Sequence, residues 1–279
     1  MSSSSSIEMF NNSIKSSNTL LKIFCCLTII VLICILIGNY AFKNGVLTCD
    51  HYVFNTYLYI ILSILLVFIV VLVNDQTGFF NTFLISMAQG NIIVMMILVL
   101  VFFFGLVYAL QTINPNDILS SNLIWLLLIL TLGVFTIPII WFGRLTNVVG
   151  LAGILTVLIT LIVGIAGYYY GDKIVTFDWD KYLNYALWIL VLAAFAGLFF
   201  IKDYKMMMTY FYILSIISVS VFVLMLLSNH KKLKENADKC IDGKVVPNYP
   251  YESFGIFIKM LNIFGDLIRI LGRGRGRRR

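Results

Sequence analysis

Residues 229–272 read NHKKLKENADKCIDGKVVPNYPYESFGIFIKMLNIFGDLIRILG, and nothing earlier in the chain resembles them. The stretch opens with a charged run, which predicts a loop, turns at Pro247 and Pro250, and closes in a segment that is half polar and half apolar. Lys259, Asn262, Asp266 and Arg269 are spaced three, four and three apart, so on a helix they form one stripe. Phe254, Phe257, Ile258, Leu261, Phe264, Ile268 and Leu271 fill the other face. Such a stripe cannot face lipid; it predicts contact with a protein interior, a water-filled cavity or the membrane surface.

Everything upstream is apolar by comparison. The chain has 279 residues, 61% of them hydrophobic and 12% charged, with mean hydropathy +0.97. A soluble domain carries roughly a quarter charged residues. Apolar runs of about 20 residues recur, the length that crosses a hydrocarbon core of about 30 Å. The fold class predicted is all-α: a polytopic membrane helix bundle whose one obligatory partner is the lipid bilayer. The net charge of +7 lies largely in the tails, where it reads as orientation and surface contact. A nucleic-acid partner is not expected, because no folded basic domain surrounds these charges.

Residues 1–19 are Ser- and Asn-rich and predict a disordered tail. One transmembrane bundle is predicted over 20–272, with spans at about 20–42, 53–73, 79–110, 123–142, 150–170, 183–201 and 207–227. A C-terminal helix follows at about 252–271, and then a basic tail at 273–279. The third segment is over-long and is interrupted by Gln89-Gly90-Asn91, which predicts a tilted helix with an interfacial first part or, as the alternative, a broken helix. Short connections make sequence neighbours antiparallel neighbours. Ala193 with Gly197, Gly167 with Gly171 and Gly150 with Gly153 offer points of close helix packing.

Orientation depends on the last helix. If it crosses, both ends share a side, the basic residues weakly favour cytoplasmic ends, and Cys49 and Cys240 share the other side, where a disulfide is possible. If it re-enters, the basic loop and tail lie together on the cytoplasmic side. Cys25, Cys26 and Cys34 fall in the first apolar segment as small apolar residues, and the absence of a C-x-x-C pair argues against a zinc or redox motif.

The chemistry-bearing residues are few. Of 13 acidic residues only Asp266 is placed at membrane depth, with Lys259 and Arg269 close by as neutralising partners. His51 and His230 belong to no H-E-x-x-H motif, and His230 is expected in a solvated loop. There is no G-x-S-x-G elbow, so an enzyme is not expected. The loop with Asp172, Asp178 and Asp180 matches no EF-hand spacing; no resident metal or cofactor is expected. The amides Asn55, Gln89, Asn91, Gln111 and Asn184 are candidates for bonds between helices.

Over residues 226–272 the order is an apolar helix, a short polar motif, a charged segment with a cysteine, a proline turn and a half-apolar helix ending Leu-x-Arg-Ile-Leu-Gly. This resembles the end of the transmembrane Bax inhibitor motif family, the Bax inhibitor-1-like proteins. The matching strings are LSNHKKL (227–233) and IKMLNIFGDLIRILG (258–272), with Asn262 and Phe264 in the family's asparagine and phenylalanine positions. The resemblance implies a six-span core plus a C-terminal semi-polar helix, the first segment here being an extra N-terminal span. It implies a protein of the endoplasmic reticulum or another internal membrane, with the plasma membrane as the less favoured alternative, that modulates calcium leak, calcium being the permeant ion, and suppresses cell death. Other membrane proteins of cell-death control would be its partners. The two intramembrane carboxylates that it implies as a pH-sensitive gate fall at Asn229 and Lys259, and neither residue is an acid. Asp266, Lys259, Asn262 and Asn229 are therefore the candidate pathway and gating residues. The alternative expectation is a non-conducting relative that binds other membrane proteins or, through its basic tail, anionic lipid.

Overall fold

A computed structural model describes residues 3–37, 41–43, 46–80, 82, 92–175 and 179–276. The elements run α1 (Ser3–Ile37), β1 (Phe42–Lys43), β2 (Val46–Leu47), α2 (Tyr52–Thr77), α3 (Ile92–Thr112), α4 (Ile118–Leu145), α5 (Val149–Ile174), α6 (Trp179–Phe200), α7 (Tyr204–Ile241) and α8 (Tyr249–Gly276). The two short strands pair antiparallel, Phe42 with Leu47 and Lys43 with Val46. Among the described residues all else regular is helix, as a chain that must satisfy its backbone inside a bilayer requires. Among the described residues five helices are long and apolar enough to cross: Thr19–Leu36 within α1, α2, α4, α5 and Lys205–Ile241 within α7. The chain is an integral, polytopic helical membrane protein.

Local chemistry sets the helix ends. α2 stops at Gly78, whose φ of 64° lets its N–H bond back to Asn74 O. Asp203 caps α7 by accepting from Met206 N at 2.7 Å. At α8, Asn248 Oδ1 accepts from Tyr251 N at 3.2 Å, and Pro250 occupies the first turn, where its missing N–H costs nothing.

Two expectations need correction. The Ser/Asn-rich start is not irregular: α1 begins at Ser3. Extending an existing helix fixes one residue per hydrogen bond gained, which is far easier than nucleating one. The charged loop expected at 229–241 is likewise helical, as the end of the 38-residue α7. Lys231 and Lys239 flank Glu235 at helical i,i+4 spacing, and Leu233, Ala237 and Cys240 bury one side of the extension. The Gln89-Gly90-Asn91 interruption lies outside the described residues.

By internal contacts the chain divides into two compact units: Met1–Ile137 with Gly243–Phe254, and Pro138–Asp242 with Gly255–Arg279. In the first, α1 lies along α2, with Phe24 stacked on Phe68 at 5.2 Å, and Tyr59 of α2 meets Trp125 of α4 edge-on at 5.2 Å. The first turn of α8 belongs here. Tyr249 is fully buried against Tyr52 and Tyr59; its hydroxyl donates to Thr48 O and accepts from Asn55 Nδ2 at 3.4 Å.

In the second unit α7 packs on both α5 and α6. Glycine permits the approach: a Cβ at Gly167 would sit 2.7 Å from Leu227 O, and one at Gly171 would sit 2.8 Å from Lys231 Cβ. At Gly197 the space is filled by Tyr210, whose hydroxyl donates to Ala193 O at 2.8 Å. Gly150 and Gly153 face open space and contribute no such contact. The later turns of α8 lie on the end of α4, with Ile268 against Gly143 and Gly272 against Phe142 and Thr146. Large apolar side chains such as Ile154, Leu161, Ile162 and Ile165 of α5 stay exposed, a surface suited to lipid rather than water.

Candidate functional site

The second unit holds the polar residues that the sequence singles out, in two clusters. Lys259 lies one turn into this part of α8 and donates from Nζ to Gly255 O at 2.8 Å. With the Asn229 carboxamide turned to satisfy both its ends, its oxygen accepts from Lys259 Nζ at 3.0 Å and its nitrogen donates to Met225 O at 3.3 Å. The two positions that the resemblance assigns to acids thus face each other, one on α7 and one on α8.

The neighbouring residue extends this contact. Ser228, buried on α7, donates from Oγ to Asp180 Oδ1 at 2.7 Å, and Asp180 forms an ion pair with Lys232. A polar chain therefore runs Lys259–Asn229 on one side of the α7 backbone step and Ser228–Asp180–Lys232 on the other. Partial burial pushes the Asp180 carboxyl up, but the bonds from Lys232 and Ser228 and the positive charges of Lys232 and Lys259 outweigh it. The net result is a carboxyl below the usual range. Asp180 is thus ionised and supplies negative charge to a region where Lys259 supplies positive.

Asp266 stands elsewhere. It is 5% exposed on α8, accepts from Arg269 Nη1 at 3.0 Å, and is hydrogen-bonded by Ser218 and Ser215 of α7. Its charge is balanced by Arg269, the pairing that the helix spacing allows, and two hydroxyls complete the cluster. Lys259 precedes it by seven residues, about 10 Å along the helix axis.

The predicted single stripe is therefore divided. Asp266 is buried and Lys259 half-buried, while Asn262 is exposed, its Nδ2 donating to Ile258 O at 2.7 Å, and Arg269 is exposed beyond the carboxylate that it holds. α7 covers only one edge of the stripe. Arg273, the first residue of the basic tail, is anchored within the unit: Nη2 donates to Thr209 Oγ1 at 2.8 Å, and the guanidinium lies 4.7 Å from the Tyr212 ring.

Other candidates fall out as follows. His230 is not a solvated loop residue: it is 2% exposed on α7, and Nδ1 lies 2.8 Å from Leu226 O. A carbonyl only accepts, so the proton sits on Nδ1. His51, with φ 55°, is the residue before α2. Asp172 is exposed and lies 3.7 Å from both Lys231 and Lys234; Asp178 lies outside the described residues. No group of three or more His, Cys, Asp or Glu able to hold a metal occurs among the described residues. Cys49 and Cys240 are each disulfide-bonded, whereas Cys25, Cys26 and Cys34 are free. Asn55 is buried, its Nδ2 donating to Asp50 O at 3.0 Å; Gln111 and Asn184 are exposed, and Gln89 and Asn91 lie outside the described residues. Sequence reading missed Asp180, Ser228 and Lys232 as a cluster; the only signal was that Ser228 adjoins Asn229 at the end of an apolar run.

An all-helical membrane protein with a paired polar contact between its last two helices is the class that the fold and site define. A family model described as inhibitor of apoptosis-promoting Bax1 matches residues 49–276, well over half of the 279-residue chain. The chain belongs to this Bax inhibitor family; α1 and the strand pair precede the matched region. Comparison with curated proteins finds no match.

Proposed function

We propose that this chain is a non-enzymatic Bax inhibitor-like protein of the endoplasmic reticulum or another internal membrane, which modulates calcium leak and suppresses cell death. The observation that carries the reading is the Asn229–Lys259 contact at 3.0 Å. It keeps the pairing of two positions between the last helices while changing their charge. In this reading calcium is the permeant ion, no resident cofactor is needed, and Asp266 is the acid within the membrane-embedded part. The test is calcium efflux from loaded liposomes containing the full chain, with an Asp266→Asn variant alongside. Efflux that depends on Asp266 and responds to pH supports the proposal; efflux no faster than from empty liposomes, with helicity intact, overturns the conducting reading.

A second reading is favoured by the Lys259 ammonium itself. A divalent cation passing about 4 Å from one fixed positive charge meets about 8 kcal/mol of repulsion at an effective dielectric constant of about 20. On that ground the chain acts without conducting, by binding other membrane proteins of cell-death control or anionic lipid. Protection of cells from a death stimulus, together with absent liposome efflux, selects this reading.

A further inference from the structure

The first unit contains a cavity that neither reading uses. It has a volume of about 470 Å³ and lies between the C-terminal half of α1, the N-terminal half of α2 and the N-terminal half of α4. Leu32, Ile35, Leu62 and Leu66 supply apolar wall, and Leu36 and Leu119 edge it. Leu36 is 61% exposed and Leu119 80% exposed, so the cavity opens sideways to the bilayer. Its size falls within the roughly 300–1,000 Å³ range of small-molecule sites.

One feature of the wall is not apolar. Trp125 is 3% exposed and lines the cavity, and its indole Nε1–H has no hydrogen-bond acceptor. The adjacent polar groups do not supply one: the Tyr59 hydroxyl donates to Asn122 Oδ1 at 2.9 Å, and Asn122 Nδ2 donates to Ile118 O at 2.8 Å. A buried donor left unmade costs about 1–3 kcal/mol, more in hydrocarbon than beside water.

Depth identifies the acceptor. α2, of 26 residues, is about 39 Å long, close to the roughly 40–45 Å of a bilayer with its headgroups. Tyr59 and Trp125 each lie seven residues, about 10 Å, from the start of their helices. With about 5 Å of each helix end outside a hydrocarbon core of about 30 Å, that places them about 5 Å inside the boundary, within reach of an ester carbonyl drawn down from it. We propose that the cavity binds one acyl chain of a bilayer glycerolipid, with the chain along the leucine wall and its ester carbonyl accepting from Trp125 Nε1. Because α1 forms one wall and precedes the family match, the site is a property of this chain's N-terminal addition.

The test uses the full chain in liposomes carrying a diacyl phosphatidylcholine with a photoreactive group in its acyl chain. Cross-linked peptides are mapped by mass spectrometry, with unlabelled diacyl phosphatidylcholine or free fatty acid as competitor. The expected result is saturable labelling of the peptides bearing Leu62, Leu66 and Trp125, displaced by the diacyl lipid. Labelling should fall at least about fivefold in Leu66→Trp, which fills the cavity. In Trp125→Phe, which keeps an aromatic ring of smaller size and removes the donor, it should fall about two- to tenfold, the worth of one hydrogen bond. Labelling spread evenly over all lipid-facing helices, or unchanged in the folded Trp125→Phe variant, overturns the proposal. Displacement by free fatty acid but not by diacyl lipid overturns the assignment to a glycerolipid.

Discussion

Restoring two acids at the contact between α7 and α8 is the most informative perturbation. In Asn229→Asp/Lys259→Asp the 3.0 Å contact with the ammonium gives way to two facing carboxylates, which the shorter aspartate side chain sets further apart. The wild-type ammonium opposes a calcium ion at about 4 Å by about 8 kcal/mol; each carboxylate would attract it by a similar amount before screening. Asp180 already offsets part of the wild-type repulsion, through Ser228 and the field of Lys259, so only a fraction will appear as flux. Even one-sixth of 8 kcal/mol corresponds to about a tenfold change. Calcium-loaded proteoliposomes, assayed between pH 5 and 8, should therefore release calcium at least about tenfold faster with the double variant than with the wild type. Like charges facing each other at short range raise the affinity of one carboxyl for a proton, so one of them titrates above its ordinary value. Release by the variant should fall as the medium is acidified and that carboxyl is neutralised. Lys259→Met separates removal of the positive charge from gain of the negative. A correctly folded double variant that releases calcium no faster than wild type at any pH would refute the claim that this contact controls cation passage.

Three further outcomes are expected. Gly167→Ala, which drives a methyl to 2.7 Å from the Leu227 carbonyl, should cost about 1–3 kcal/mol in thermal or denaturant unfolding, whereas Gly153→Ala, facing open space, should be neutral or slightly stabilising. Tyr249→Phe should cost about 1–2 kcal/mol by removing the hydroxyl that joins Thr48 to Asn55. Burial first, and then the charge of Asp50, push the Tyr249 hydroxyl up to about 12, despite its bond with Asn55, so the wild type favours the neutral phenol. Its contribution is complete below pH 10 and is lost as the pH rises from about 10 to 12, a loss that the Phe variant should lack in alkaline melting curves. Asp180 has a depressed carboxyl, so its contribution is present above about pH 4 and disappears as the pH falls through its lower folded value. Asp180→Asn should flatten that acid-side loss; since the pair with Lys232 is partly exposed, the change at neutral pH should stay below about 1 kcal/mol.

Much of this arrangement can be read from the chain before folding, and the remainder has identifiable reasons for being hidden. Apolar runs announce the helices because bilayer thickness fixes their length. The facing of Asn229 and Lys259 follows from matching LSNHKKL and IKMLNIFGDLIRILG to a known pattern, not from any period in the sequence. The continuation of α7 is disguised, since its lysines, asparagine and aspartate carry loop-like composition, and its support comes from Glu235 between two lysines and from Leu233, Ala237 and Cys240 on one side. Burial of His230 is hidden by its lysine neighbours, although the helix turns it away from them toward Leu226. The Ser228–Asp180 bond joins residues 48 apart and belongs to tertiary packing alone. The division of the α8 stripe, with Asp266 inside and Asn262 outside, depends on how wide a strip α7 covers, which spacing on one helix cannot tell.

The 38-residue length of α7 has a mechanical side. At 1.5 Å per residue it is a rod about 57 Å long, which overshoots a membrane of about 40–45 Å by more than two turns. Its protruding tip carries Lys231, Lys234, Glu235 and Lys239, while its shank carries the serines that grip Asp266. Because Leu233, Ala237 and Cys240 bury one side of that end and Cys240 is disulfide-bonded, the rod is moored at its aqueous end as well as along its shank.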